Sequence, residues 1–258
     1  MARKKLITGV APGPVIYPAR PRHDYMDQSA TQRHELGARY TTEDGRAYRY
    51  CKNGAVALVT GHLIQSAALG GSSGHVQTGI AVQADSAIGD ESIYVELDTD
   101  AATLNQFAGG YLCISDDAGE GQMFGIVGNS VATGGGTCRV DLDRPIKIAA
   151  LVATSLVQMM TDPYSTVIAA PITTPTGLIL GIAPIAVTAE YYFWVQTWGM
   201  CCAKVGKAMT MGTHVIQDVS IAESVGPGDG AVINTIIGMC GLVTATTQSG
   251  LIFLTIAP

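Results

Sequence analysis

The sequence predicts an all-β protein of the sandwich or barrel-like kind, with an extended N-terminal arm and at most one or two short helices. Three observations predict it. Short apolar runs are cut by Gly and Pro turns at the regular spacing of sandwiches and barrels. The apolar residues are mostly Ala, Val and Ile, and Thr is abundant beside them; glycine accounts for 31 of the 258 residues, well above the roughly 7% of an average chain. Gly, Thr and Val are mediocre helix formers, and neither a long amphipathic helix nor a βαβ alternation is present, which argues against Rossmann, TIM-barrel and hydrolase folds. Charged residues make up only 14% and hydrophobic ones 47%, the opposite of a disordered composition. The length suits one large all-β domain or two small ones.

Residues 1–35 are expected to form the arm. They show no hydrophobic period, and Pro12, Pro14, Pro18 and Pro21 favour an extended path. Asp24–His34 is polar enough for a helical turn. Residues 36–160 read as a β-rich domain, and 161–258 as a second one or a continuation of the same barrel.

From Gly37 the pattern is β. Ala38–Thr42 and Ala47–Lys52 flank an Asp44-Gly45 hairpin signal. Ala55–Thr60 and His62–Gln65 follow around Gly61, then the glycine–serine run 70–74, then Val76–Val82 and the strictly alternating Ser92–Leu97. Asp100–Phe107 is the best helix candidate, with Asp100 as cap and Gly109-Gly110 as stop. Tyr111–Ser115 and Met123–Val127 are strands around the turn 116–121. Val131–Val140 surrounds three glycines, and Ile146–Val152 leads into Ser155–Met160. The remaining expected strands are Val167–Ala170, Leu178–Ile182, Ile185–Thr188, Tyr191–Trp198, Met209–Met211, Val215–Ile221, Ala231–Ile237, Leu242–Thr246 and Leu251–Ile256. Pro, Gly, Asn and Gln interrupt the uncharged stretches, so no run of the roughly 20 apolar residues of a membrane helix results.

Charge is unevenly spread. Residues 1–52 hold ten Lys/Arg and five Asp/Glu, whereas 53–258 hold five and sixteen. A basic arm on an acidic body suits an acidic partner surface. The arm has no dense basic run and no aromatic–glycine RNA-binding motif, so direct nucleic-acid binding is not expected.

Several stretches resemble a family of tailed-bacteriophage virion proteins of the structural, decoration or cement type. They are Gly109-Gly110-Tyr111-Leu112 with Asp116-Asp117-Ala118-Gly119-Glu120-Gly121; Asp162-Pro163-Tyr164-Ser165; and Val187–Thr197 with Gly199. Gly45–Gly54 and the ending Ser249–Leu254 look similar too. Trp198 and Met200-Cys201-Cys202 depart from the family's pattern, which places a charged or proline-containing loop there. The resemblance implies a role on the capsid surface between capsomers, with no catalytic residues. It implies the major capsid protein and copies of the chain itself as partners, with a trimer as first expectation, and a location on the virion after synthesis in the host cytoplasm. Arg3, Lys4, Lys5, Tyr17, Arg20, Arg22 and Tyr25 of the arm, with Tyr192, Trp194 and Trp198 of the aromatic strand, are the expected contact residues. A tail, neck or head-fibre part, stacking sugars on Tyr192, Trp194 and Trp198, is the alternative. A phage-encoded hydrolase is a further one.

Candidate chemistry is sparse. Gly70-Gly71-Ser72-Ser73-Gly74 matches G-x-S-x-G formally, but a nucleophile elbow needs a helix after it, and Val76–Val82 reads as a strand. Glu96, Asp98 and Asp100 share a face, Asp116, Asp117 and Glu120 form a second acidic turn, and Asp141 and Asp143 alternate beside Arg144. Calcium takes six to eight oxygens, and these patterns read more simply as solvated surface. His23, His34, His62, His75 and His214 have no metal-ligand spacing, and no P-loop is present. Neither cofactor nor metal is expected. The six cysteines lack CxxC spacing and read as reduced thiols.

Overall fold

The structure is a computed structural model and describes residues 24–70, 74–228, 235–242 and 246–258. It is all-β, and no helix occurs among the described residues. The strands are β1 Arg39–Thr41, β2 Ala47–Lys52, β3 Leu63–Ser66, β4 Val76–Ala81, β5 Ser92–Glu96, β6 Tyr111–Asp116, β7 Met123–Asn129 and β8 Thr137–Leu142. Then come β9 Leu156–Met160, β10 Val167–Ala169, β11 Ile179–Ile182, β12 Tyr192–Lys204, β13 His214–Gln217, β14 Val225–Pro227, β15 Gly238–Cys240 and β16 Ser249–Thr255.

They form two antiparallel sheets. One runs β10-β3-β11-β12-β16-β15-β13-β14, with β2 on β12 and β1 on β2; the other runs β4-β9-β6-β7-β8-β5. Strands expected to share a domain up to residue 160 are therefore divided. β2 and β3 pair with strands from beyond residue 160, β1 pairs with β2, and β4–β9 are inserted between β3 and β10. The inserted sheet curls until its edges meet, through a bridge between Val82 and Val95. Ile93, Val95, Leu112, Ile114, Phe107 and Val157 fill its interior, in an apolar cluster drawn only from residues 80–159. The long strand β12 is the spine of the other sheet. Its first half pairs with β2 and its second half with β16. Phe193 and Val195 enter one apolar cluster, and past a β-bulge at Gln196–Trp198 that reverses the faces, Cys201 and Ala203 enter another on the other side.

Local chemistry accounts for the edges of these elements. The β1–β2 hairpin turns at Gly45, whose φ of +84° favours glycine. Asp100–Phe107 is a run of turns and not a helix. Asn105 sits at φ +58°, and bonds from Gln106 N–H to Thr103 O and from Ala108 N–H to Asn105 O replace the helical ladder. Asn129 completes the exchange by accepting from Phe107 N–H at 2.9 Å and donating to Thr103 O at 2.9 Å. Of the expected strands Ala55–Thr60 and Ile185–Thr188, only one bridge between Leu58 and Val187 forms. Ile146–Val152 and Met209–Met211 are likewise not strands.

Part of the segment expected as an arm belongs to the body of the fold. Residues 1–23 lie outside the described residues, but 24–38 are part of the fold, packed as a strap on the outer face of β2 and β12. The charge follows the topology. The inserted segment 74–162 holds three Lys/Arg and twelve Asp/Glu, whereas residues 1–23 hold five Lys/Arg and no acid.

Candidate interaction surface

Side chains alternate across a strand, so Tyr192 and Trp194 share the outer face of β12 with Tyr48 and Tyr50 of β2. A β-bulge between Gln196 and Trp198 then reverses the alternation. A Cβ on Gly199 would meet Arg46 on the strap side, so Trp198, Met200 and Cys202 lie on the opposite face, and Trp198 does not share the expected face with Tyr192 and Trp194. The two halves of the strand have different fates.

The strap covers the first half. Ser29 and Tyr192 exchange backbone bonds of 2.9 and 2.8 Å, Gly37 N–H donates to Tyr50 O at 2.8 Å, and Tyr50 N–H donates to Ala38 O at 2.9 Å. Thr188 N–H donates to Gln28 Oε1 at 2.8 Å, and Arg33 N–H to the Tyr50 hydroxyl at 3.0 Å. Beneath lies an aromatic cluster. Tyr25 stacks on Tyr48 at 4.8 Å, Tyr50 on Tyr192 at 6.0 Å, and Trp194 meets Tyr50 at 5.0 Å and Tyr40 at 5.7 Å. The Arg46 guanidinium lies 5.3 Å from the Tyr25 ring centre, a favourable cation–π position. Trp194 is only 2% exposed, and burial pushes the Tyr48 phenol well above its usual range.

The second half is bare on the opposite face. Met200, Phe253 and Met239 form one cross-strand row over β12, β16 and β15, with Trp198–Thr255 and Cys202–Leu251 as the neighbouring rows. Met200, Met239 and Leu251 are 43%, 45% and 39% exposed, and the Trp198 ring lies edge-on to Phe253 at 5.9 Å. None of these residues carries a charge. Three strands about 4.8 Å apart and five residues long make a face on the order of 200 Å², so with its rim it approaches the size at which an apolar patch marks an interaction site.

The expected contact residues thus separate. Tyr25, Tyr192 and Trp194 come together under the strap as internal packing. Trp198 stands on the bare half. Arg3, Lys4, Lys5, Tyr17, Arg20 and Arg22 lie outside the described residues. Tyr48 and Tyr50, which complete the cluster, and Met200, Phe253, Leu251 and Met239, which make the bare face, were not singled out from sequence. Met200-Cys201-Cys202-Ala203 gives no contrast between inward and outward positions, because both are apolar.

Among the described residues the chemical candidates do not assemble into a centre. Ser72 and Ser73 lie outside the described residues, and His75 Nδ1 is 3.4 Å from Thr161 Oγ1. Glu96 Oε2 accepts from Gln83 and Asp100 Oδ2 from Gly74 N–H. Thr154 donates to Asp117, Arg139 pairs with Asp141 at 2.7 Å, and Arg144 lies 3.7 Å from Asp143. Among the described residues no three His, Cys, Asp or Glu side chains converge on a metal-sized site. A cleft of about 400 Å³ at the far end of the inserted barrel is lined by Gly121, Gln122, Met123, Phe124, Arg144, Pro145, Lys147 and Ile148. All six cysteines are free; Cys201 is buried and Cys202 exposed, as adjacent strand positions require, and burial raises the Cys51 and Cys201 thiols. His62, Glu223 and Lys204 form a half-buried charged group, with His62 Nδ1 3.1 Å and Lys204 Nζ 3.5 Å from Glu223 Oε2.

No family model, curated protein or solved structure matches the chain.

Proposed function

We propose that this chain is a structural protein of a tailed-phage virion, a capsid decoration or cement protein that binds the outer shell between capsomers. It acts by burying surface against its neighbours, the major capsid protein and further copies of itself, and so holds the head against the outward pressure of packaged DNA. The observation that carries this reading is the bare, uncharged face that the second half of β12 shares with β16 and β15. Apolar burial contributes roughly 25 cal/mol per Å², and weak contacts repeated around a shell add through multivalency. The basic residues 1–23 supply a second contact, suited to an acidic neighbour.

The alternative of a sugar-binding tail or fibre part loses its platform. Tyr192 and Trp194 lie under the strap, which leaves Trp198 as the accessible ring of the three.

The test uses shells of the phage that encodes the protein. The full chain is expected to bind them in many copies spread over the surface. Met200→Asp combined with Met239→Asp is expected to weaken binding at least tenfold while leaving the far-ultraviolet spectrum unchanged. Equal binding by the variant, or binding confined to the tail, overturns the reading.

A further inference from the structure

The cleft in the inserted barrel is built where β7 and β8 part. Their pairing ends at Ile126–Leu142, and Pro145, which has no N–H to offer a ladder, follows soon after. The walls of the cleft, residues 121–124 and 144–148, are tied together at both ends. At one end Asp143 N–H donates to Gly125 O at 2.9 Å, and Gly125 N–H donates to Asp143 Oδ1 at 2.9 Å. At the other end the buried Gln122 amide donates to Ala149 O at 3.1 Å and accepts from Ile148 N–H at 3.3 Å. The barrel itself holds the walls apart.

Its lining differs from the acidic segment around it. Residues 74–162 hold three Lys/Arg against twelve Asp/Glu. Arg139 is paired with Asp141 at 2.7 Å. The other two cations, Arg144 and Lys147, both line the cleft. Arg144 is oriented there: its Nη2 donates to Met123 O, and its guanidinium lies 5.6 Å from the Phe124 ring centre, a cation–π position. Asp143 is 3.7 Å from Arg144, but its Oδ1 already takes the Gly125 N–H. Lys147 forms no ion pair among the described residues. Met123 and Ile148 add apolar wall, 50% and 81% exposed. The volume of about 400 Å³ falls in the range of small-molecule sites, roughly 300–1,000 Å³.

We propose that this cleft binds a small organic carboxylate with an apolar body. Arg144 and Lys147 hold the carboxylate, and the body lies against Met123 and Ile148. A planar guanidinium matches the two oxygens of a carboxylate. Apolar walls suit the rest of such a ligand and give nothing to the further oxygens of a phosphate, whose hydration would be lost without replacement. The site uses none of the β12–β16–β15 face, so it stands or falls separately from the role proposed above.

The test titrates the full chain with 3-phenylpropionate and follows methyl and amide resonances. Saturable shifts are expected at the Met123 and Ile148 methyls and along both walls of the cleft. The neutral amide of the same acid is expected to bind at least tenfold more weakly, and inorganic phosphate is expected not to compete. Loss of one charge-assisted bond predicts that Arg144→Gln weakens binding about tenfold. Lys147→Gln, at a more exposed position, is expected to weaken it about threefold. Arg139→Gln, outside the cleft, is expected to leave it unchanged. All three side chains are on the surface, and an unaltered amide spectrum away from the cleft shows that each variant is folded. Absence of saturable shifts in the folded parent overturns the proposal. So does equal binding of acid and amide, equal binding by a folded Arg144→Gln variant, or phosphate that binds as tightly as the acid.

Discussion

His62 illustrates how single residues set the response of this fold to its solvent. Burial holds its imidazole below the usual value of 6.5; the Lys204 ammonium acts in the same direction, and Glu223 opposes both. Because the folded value is depressed, the native state binds fewer protons than the unfolded chain as acid is added. Stability from this group is therefore complete above pH 6.5 and is lost as pH falls from there through the folded value. His75, also lowered by burial, adds to the same slope. His62→Gln is expected to flatten the dependence of urea-unfolding free energy on pH below 6.5 without abolishing it. An unchanged slope in the variant would show that His62 is not among its sources.

At the scale of elements, close backbone approach decides what sequence patterns leave open. Gly110 has a backbone carbonyl, that of Met160, only 2.0 Å from where a Cβ would sit, because the turn it ends is pressed against the end of β9. Gly110→Ala is expected to cost about 3 kcal/mol, at the upper end for a core strained by added volume, measured as the unfolding midpoint in denaturant. A loss below about 0.5 kcal/mol would mean that the turn shifts freely. The same turn explains one limit of sequence reading. Asp100–Phe107 carries a helix's cap and stop signals, but Asn129, more than twenty residues away, supplies the bonds that replace the helix. Where local chemistry suffices, the sequence is legible: the Asp44-Gly45 hairpin, the whole of Ala47–Lys52 and the alternation of Ser92–Glu96 are found as expected. The bulge that turns Trp198 to the opposite side left no signal in the period, but the aromatic face of Tyr192 and Trp194 was legible from period two alone. Its covering by residues 24–38 was not, since a polar segment with prolines before it reads as a free arm until its backbone bonds to Tyr192 and Tyr50 are seen.

For the whole molecule, the governing fact is that the acidic sheet is inserted into the other. Its apolar cluster draws on no residue outside 80–159, so its stability is expected to be its own. Residues 74–162 made alone are expected to give a dispersed amide spectrum and one cooperative thermal transition; a collapsed, undispersed spectrum would show that the surrounding sheet is needed to hold it together. The ends of this segment lie side by side, since Val76 is the register partner of Met160. The strands it separates are themselves antiparallel neighbours, with Ser66 opposite Val167. Removed cleanly, the segment would leave β3 and β10 as an ordinary hairpin awaiting a short turn. The architecture is thus a socket and a cartridge: another module with adjacent termini can be spliced at the tip of that hairpin, and the spine, strap and bare face beneath it need not change by a single residue.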